Sequence, residues 1–363
     1  MKVAVKVKNL LKAVNICSRL VNNRNSLEIL GNILIETNKN TLKLSSTNLD
    51  LAITTNLGAK VEKEGKVSVP ARLFSELINS ISEDTLQIIG DETKLTIKGD
   101  KIFSRLNGVS ASEFPSLPQL KNTTQIKLES KTLKNLIDKV LVSVSIDESR
   151  PVLAGVYFNI DNQQLTMAAT DSYRLSEVNT KVAVTENISC IIPARTVIEI
   201  QRLISAEEVK EVEFKISESE ASFKIGDSEL ISQLTDGKYP DYKKIIPTNS
   251  ATSIICDKSQ LIEAVKISSV FARESSHSIS LVSKSKELTI NAQTSEVGEN
   301  VINLPIQQKG KDSEISINAK YLSDILNVIN NESIIIELND KLDPMVVRPE
   351  KGNEIHIIMP LRS

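Results

Sequence analysis

Hydrophobic positions along the chain alternate between two periods, and the alternation itself recurs. In "KNLLKAVNICSRLV" (8–21), Leu10, Leu11, Val14, Cys17 and Leu20 fall on one side of a helix, with Lys12 and Arg19 off that stripe. Runs with period two follow: "NILIET", "TLKLSST" and "DLAITTNL", then later "GVYFNID", "QLTMAAT" and "RLSEVNT". Their β-branched content marks them as strands, and "TNKN", "DNQQ" and "SKSKE" supply turn residues. A second helix then opens at an Ala-Arg or Ala-Lys pair. Short strands close the unit, as in "TLQIIG", "KLTIKG" and "IFSRLNG". The pattern predicts helices over 8–21, 71–81, 131–145, 194–204, 258–273 and 319–330. Helix plus strands thus occurs twice per unit, which predicts an α+β fold with two helices on one face of antiparallel sheet.

The unit occurs three times. Pro70-Ala71-Arg72 returns as Pro193-Ala194-Arg195 and again as Asn318-Ala319-Lys320, in steps of 123 and 125 residues. The first helix of each unit opens at Lys8, Lys131 and Lys258, in steps of 123 and 127. Two landmarks keeping one period define a repeat. It is too long for a solenoid or propeller blade and matches a whole domain. Pro-rich stretches at 112–125 and 237–253 each hold an aromatic-Pro pair, Phe114-Pro115 and Tyr239-Pro240. Pro stiffens such segments, so they are expected to act as inter-domain straps. Domains at 1–122, 123–251 and 252–363 follow.

Charge adds a second layer. The formal net charge is only −2, yet the six predicted helices carry thirteen Lys or Arg against five Asp or Glu. Helices of net +8 on a remainder of −10 suggest that the helical surface meets a polyanion and the rest repels it. For any single helix, a few basic residues also describe an ordinary solvated face. Cys17, Cys190 and Cys256 are far apart and odd in number, which points to buried thiols in a reducing cytoplasm. No apolar run approaches the roughly 20 residues of a membrane span.

Chemistry is hard to find. The chain has neither GxGxxG nor GxxxxGK[ST], and its two histidines, His277 and His356, lack ligand spacing. No metal site, cofactor or catalytic residue is expected. "TDSYRL" (170–175) groups Asp171, Tyr173 and Arg174. An acid/base role for Asp171 and Tyr173 is one reading, and a surface pair or binding patch is the other. The residues alone also leave open a β-rich binding scaffold of another kind.

Four segments in order, "LEILGNILIE", "TDSYRLSE", "DGKYPDYKKIIP" and "IIMPLRS", resemble the bacterial DNA polymerase III beta subunit, the DNA sliding clamp. The resemblance spans the chain. It implies a head-to-tail homodimer of three-domain chains closing as a six-domain ring, with helices lining a hole for duplex DNA. The function implied is a non-catalytic, topological tether that keeps a replicative polymerase on double-stranded DNA without reading sequence. An ATP-driven clamp loader, the replicative polymerase's catalytic subunit, repair polymerases and other proteins with clamp-binding motifs are the implied partners.

The resemblance also implies sites. Arg24 stands where the family has a DNA-touching loop residue. The helix-borne Lys12, Arg72, Lys134, Arg195, Arg202, Lys266, Arg273 and Lys320 are further DNA-binding candidates. A pocket for a partner peptide, with a Gln and two apolar anchors, matches Leu153, Thr170, Ser172, Tyr173, Arg174, Leu175, Pro240, Lys244, Ile245, Ile357, Ile358, Met359, Pro360 and Leu361. Leu153, Leu175, Ile245 and Ile358 read equally well as core. Ser172 replaces a frequent Gly and Lys244 a frequent Arg. For ring closure, Phe103 is expected to meet Val270 and Phe271, and Lys101 and Arg105 to face Glu296 and Glu299. Phe103 and Phe271 also read as ordinary core aromatics.

Overall fold

The computed structural model describes residues 1–21, 27–118, 120–121, 123–294 and 298–361. All six predicted helices form: α1 (Val7–Cys17), α2 (Ala71–Asn79), α3 (Ser130–Leu141), α4 (Ala194–Glu207), α5 (Lys258–Phe271) and α6 (Ala319–Val328). Their ends move. α1 tightens at Ser18–Leu20 into a 3₁₀ turn, and α4 runs on to Glu207. The drift of the third copy from Pro to Asn has a local reason. Asn318 caps α6, its side chain accepting from the N–H groups of Lys320 and Tyr321, whereas Pro70 offers α2 no side-chain cap. Asp257 likewise caps α5 by accepting from Gln260 N–H.

The periodicity does not predict the short strand that opens each copy. Lys2–Lys6, Thr124–Glu129 and Thr252–Asp257 are strands running directly into α1, α3 and α5. Each is five or six residues long and ends where the helical period begins, so the longer pattern masks the shorter one.

The chain packs as two compact units that cut across the sequence repeats. One joins Met1–Lys131 with Ile198–Leu234; the other joins Thr132–Val197 with Thr235–Ser363. The cause is strand pairing. In the first unit, the closing strand of copy two, Ser228–Gln233, pairs antiparallel with Leu51–Gly58 of copy one, and eight strands run as one sheet. Thr55 Oγ1 and Ser228 Oγ lie 3.0 Å apart at that joint. In the second unit, the closing strand of copy three, Glu354–Ile358, pairs with Arg174–Lys181 of copy two within a nine-stranded sheet. One rule makes both joints: the closing strand of a copy pairs with the fourth strand of the copy before it.

Two half-sheets remain. A five-stranded sheet of copy one ends at its closing strand, Phe103–Asn107, and a four-stranded sheet of copy three ends at its fourth strand, Gly298–Pro305. Sheets and helices enclose aliphatic cores in each unit. In the first, Phe74, Phe214 and Phe223 are fully buried, the last two edge to face at 5.3 Å. The second packs Leu261, Val265, Leu322 and Ile325 of α5 and α6 together with the strand residues Leu281, Ile290 and Ile336.

The two Pro-rich straps are packed down instead of spanning free between domains. Phe114 is buried with Leu34 and Ala111 in the first unit. Tyr239 and Tyr242 are buried in the second unit with Ala168, Leu175, Ile191, Val346 and Ile357. Tyr239 stacks on Tyr157 with ring centroids 5.1 Å apart.

Candidate functional site

In the second unit, two turns and the start of a helix border a cleft of about 470 Å³. The turn after α3 contributes Val144 to Asp147 and Arg150, the Asp171–Arg174 turn contributes Asp171, Tyr173 and Arg174, and the start of α6 contributes Asn318, Lys320 and Tyr321, with His277 beside them. The middle turn is built around one carboxylate. Asp171 Oδ1 accepts the N–H groups of Tyr173 and Arg174, both at 2.9 Å, and its Oδ2 accepts from Arg174 Nε at 3.0 Å. Ser172 sits at φ +78°, the left-handed region that favours Gly. Thr170 Oγ1 secures the turn by accepting from Ser172 N–H and donating to the Arg174 carbonyl.

Arg174 is held on three sides. Besides Asp171, its Nη1 donates to Asp324 Oδ2 at 2.6 Å, and its guanidinium lies 4.5 Å from the centre of the Tyr321 ring. Burial, with the Asp171 charge adding to it, pushes the Tyr321 phenol upward. Asp171 is therefore engaged as a turn former and counter-ion, which removes the acid/base reading of "TDSYRL". The carboxyl-terminal segment closes one side. After the Glu354–Ile358 strand, Met359 N–H donates to the Tyr173 carbonyl and Leu361 N–H to the Ser316 carbonyl, both at 2.8 Å.

Of the residues expected in a partner pocket, Tyr173 and Arg174 line this cleft. Leu175, Ile357 and Ile358 have no exposed surface and belong to the core, and Leu153 and Thr170 are also buried. Met359 is half-buried against the Tyr239–Tyr242 cluster. Pro360 and Leu361 are half-buried, while Ser172, Pro240, Lys244 and Ile245 are exposed, with Lys244 paired to Asp241 at 3.0 Å. Sequence reasoning missed Ile146, Arg150, His277, Asn318, Tyr321 and Asp324. Only Ile146 carried a signal, as a large apolar residue inside the turn-like run "SIDESRP". Lys320, a DNA-binding candidate, also lines the cleft.

The other basic candidates divide by pairing. Lys12 reaches Glu207 at 2.8 Å, Arg72 reaches Glu76 at 2.9 Å, Arg195 reaches Glu148 at 3.5 Å, and Arg202 reaches Glu199 at 2.5 Å. Glu199 also meets Arg19 at 3.7 Å. Lys134, Lys266 and Arg273 have no ion pair among the described residues. The helical charge asymmetry is also smaller than the sequence indicated. Arg19 and Arg273 fall beyond the helix ends and Glu207 falls inside, so the helices as formed carry eleven basic and six acidic residues. Arg24 and Glu296 lie outside the described residues.

Of the ring-closure candidates, Phe103 is 62% exposed at the start of its edge strand, with Lys98 and Arg105 over its ring at 5.6 and 5.7 Å. Lys101, Arg105 and Glu299 are exposed, and Val270 is 52% exposed. Phe271 is half-buried against the core of its own unit, so much of its apolar surface is already used.

Behind the cleft, the carboxyl-terminal strand is tied to the sheet by buried polar groups. His356 Nδ1 lies 2.7 Å from Ser176 Oγ, which lies 2.7 Å from Ser143 Oγ. Burial, with the Lys139 charge adding to it, drops His356 from its ordinary 6.5 to about 3. The imidazole therefore stays neutral in the fold while the unfolded chain takes up a proton below pH about 6.5. Stability from this group is complete above that pH and declines by about 1.4 kcal/mol per pH unit as the pH falls toward 3. Glu354, raised by burial, acts in the opposite sense, since it binds a proton more readily in the fold. Urea titrations at pH 7 and 5 should show a steeper loss for the wild type than for His356→Asn; parallel losses would remove His356 as the cause.

The half-sheets, the paired helices and the repeated joint define a three-domain clamp architecture. The DNA polymerase sliding clamp of Bacillus subtilis superposes with a TM-score of 0.96 at 27% identity, covering 100% of this chain and 99% of that one. A Pseudomonas aeruginosa sliding clamp bound to griselimycin does so at 0.96 and 25%, covering 100% of each chain. Models of the DNA polymerase III beta subunit match in order: N-terminal domain at 1–118, central domain at 127–241 and C-terminal domain at 243–362. The chain belongs to the DNA polymerase III beta subunit family. The beta sliding clamp of Chlamydia muridarum is 29% identical over 357 residues, spanning 98% of this chain and 96% of its own length. That of Bacillus subtilis is 28% identical over the full length of both.

Proposed function

We propose that two copies of this chain close head to tail around duplex DNA and act in the cytoplasm as a sliding clamp, a non-catalytic tether for a replicative polymerase. The observation that carries the reading is the repeated strand joint. Both internal joints pair the closing strand of one copy with the fourth strand of the copy before it. The closing strand of copy one, Phe103–Asn107, and the fourth strand of copy three, Gly298–Pro305, are left without that partner, and a second chain supplies it. Exposed Phe103 and Val301 on those strands give the joint apolar surface. Domain limits near 1–122, 123–251 and 252–363 follow the repeat.

DNA contact falls to the unpaired Lys134, Lys266 and Arg273, with Arg72 able to exchange its exposed Glu76 partner for phosphate at little cost. Contacts of this kind hold the backbone without reading bases, which permits sliding. Partner proteins, among them the polymerase, the loader and repair polymerases, dock a peptide at the Tyr173, Arg174 and Met359 side of the second unit. Tethering raises the polymerase's effective concentration at the primer end. The test is primer extension on a primed circle with a cognate polymerase and loader. Long products that depend on this chain are expected; equal product lengths with and without it would overturn the reading.

A further inference from the structure

The five-stranded sheet of copy one turns one face to its core, burying Val3, Val5, Leu86, Ile88, Leu95 and Ile97, and the other to water. Period-two alternation fixes what the water face shows. Lys2, Lys6, Lys60, Lys94, Lys98 and Arg105 stand on it, with Glu62 as the acidic member. Lys2 pairs with Glu62 at 2.6 Å, and the other five have no ion pair among the described residues. The nearby acids Asp84, Asp91, Glu92 and Asp100 belong to the connecting turns.

Lysines on a sheet are ordinarily just a solvated face. The other copies argue against that here. The same run of strands, the opening strand followed by the three closing ones, forms in copies two and three. In copy two the water face sets Lys127, Lys215 and Lys224 among Glu129, Glu211, Glu213, Glu220 and Glu229. In copy three Arg348 is neutralised by Glu337 at 2.6 Å. The fold therefore makes no demand for positive charge on this face, and like charges on neighbouring strands destabilise a sheet. Copy one keeps that repulsion although the whole chain has a net charge of −2.

The array forms two rows. Lys60 lies opposite Ala4, between Lys2 and Lys6 of the neighbouring strand. Arg105 lies opposite Thr96, between Lys94 and Lys98. Between the rows runs Thr85–Gly90, whose outward residues Thr85, Gln87 and Ile89 are uncharged. Two strand spacings, about 10 Å, separate the strands that carry the rows.

We propose that this face binds an extended, carboxylate-rich segment of a partner protein, laid along Thr85–Gly90. An extended chain sends alternate side chains to opposite sides, so successive carboxylates reach the two rows in turn. Single-stranded nucleic acid is a poorer match, since its binding platforms stack bases on aromatic rings. The one ring beside the rows, Phe103, has Lys98 and Arg105 over it. The site belongs to the strands of the first unit, and the cleft that holds Tyr173 belongs to the second.

Fluorescence anisotropy on the full chain at about 50 mM salt tests it with a labelled Glu-Ser repeat peptide of about ten residues. A Gln-Ser repeat and an oligo-dT of equal charge are the comparisons. Lys6→Gln/Lys60→Gln/Lys94→Gln removes charge from both rows, and Lys127→Gln/Lys215→Gln/Lys224→Gln removes as much from the copy-two face. All six positions are exposed on strands, so both variants keep the fold. The Glu-Ser peptide should bind the wild type and the Gln-Ser peptide should not. The copy-one variant should lose about tenfold in affinity, the copy-two variant less than about twofold. Equal losses in the two variants would reduce the effect to net charge and overturn the inference, as would a wild type that does not bind the Glu-Ser peptide. Tighter binding of the oligo-dT, lost in the copy-one variant, would overturn the assignment to a protein segment.

Discussion

Rings of this chain loaded onto a nicked circular plasmid will survive a shift to high salt, while those on a linear fragment of the same sequence will be lost. The half-lives should differ by at least about a hundredfold. The physical argument compares two kinds of attachment. Lysine and arginine contacts to phosphate weaken steeply with salt, by about 10³–10⁵ in affinity over a fourfold rise for a protein making 6–10 contacts. A closed ring does not depend on them. On a circle it must break a strand joint to leave; on a linear duplex it runs off an end with every joint intact. Gel filtration of loaded complexes in high salt measures the difference, and equal loss from both templates would exclude encirclement. Phe103→Asp sharpens the test. Phe103 is largely exposed in the single chain, so the substitution leaves the core intact while placing a carboxylate in the proposed joint. The variant should lose retention on the circle too. Phe271 is a poorer target, because it packs against its own core.

The second large effect concerns stability. Lys139→Met should cost about 3–5 kcal/mol, because it leaves the Glu354 carboxylate, whose side chain is only 2% exposed, without its Lys139 partner. Burial raises the Glu354 pKa, and Lys139 opposes that rise. Without the lysine the carboxyl is pushed further up, so the variant's penalty should shrink as the pH falls and Glu354 becomes neutral. Lys139→Met combined with Glu354→Leu should recover most of the loss, since an apolar pair of similar volume removes both charges. Urea unfolding of the single and double variants at pH 7.5 and 5 provides the measurement. A loss of less than about 1 kcal/mol in Lys139→Met would show that the pair is well solvated. The same strand leads into Met359, so partner-peptide binding should weaken along with stability in the single variant.

Much of the fold was legible because the repeat sampled it three times. The alternation in "GVYFNID" and "QLTMAAT" matched the observed strands Gly155–Asp161 and Gln164–Thr170 at both ends. The strands ahead of α1, α3 and α5 were hidden because five or six alternating residues run straight into a helical period. The partner cleft was only partly legible. Tyr173 and Arg174 announced themselves in "TDSYRL", but Ile146, His277, Tyr321 and Asp324 belong to turns and a helix far away in sequence. The basic helices misled in one respect. Counting charges along the chain cannot reveal that Lys12 and Arg202 are already held by the nearly buried carboxylates of Glu207 and Glu199.

The sequence by itself determined the repeat, the helices, most strands and the absence of nucleotide-binding motifs. Those features rest on local periodicity and side-chain type, which neighbouring residues specify without reference to distant ones. Only the tertiary structure decided which strands of neighbouring copies share a sheet. The pairing of Ser228–Gln233 with Leu51–Gly58, and of Glu354–Ile358 with Arg174–Lys181, merges the copies into sheets that the repeat boundaries do not respect. Backbone hydrogen bonding is indifferent to side-chain identity, so which strand edge meets which is settled by the packing of the whole unit.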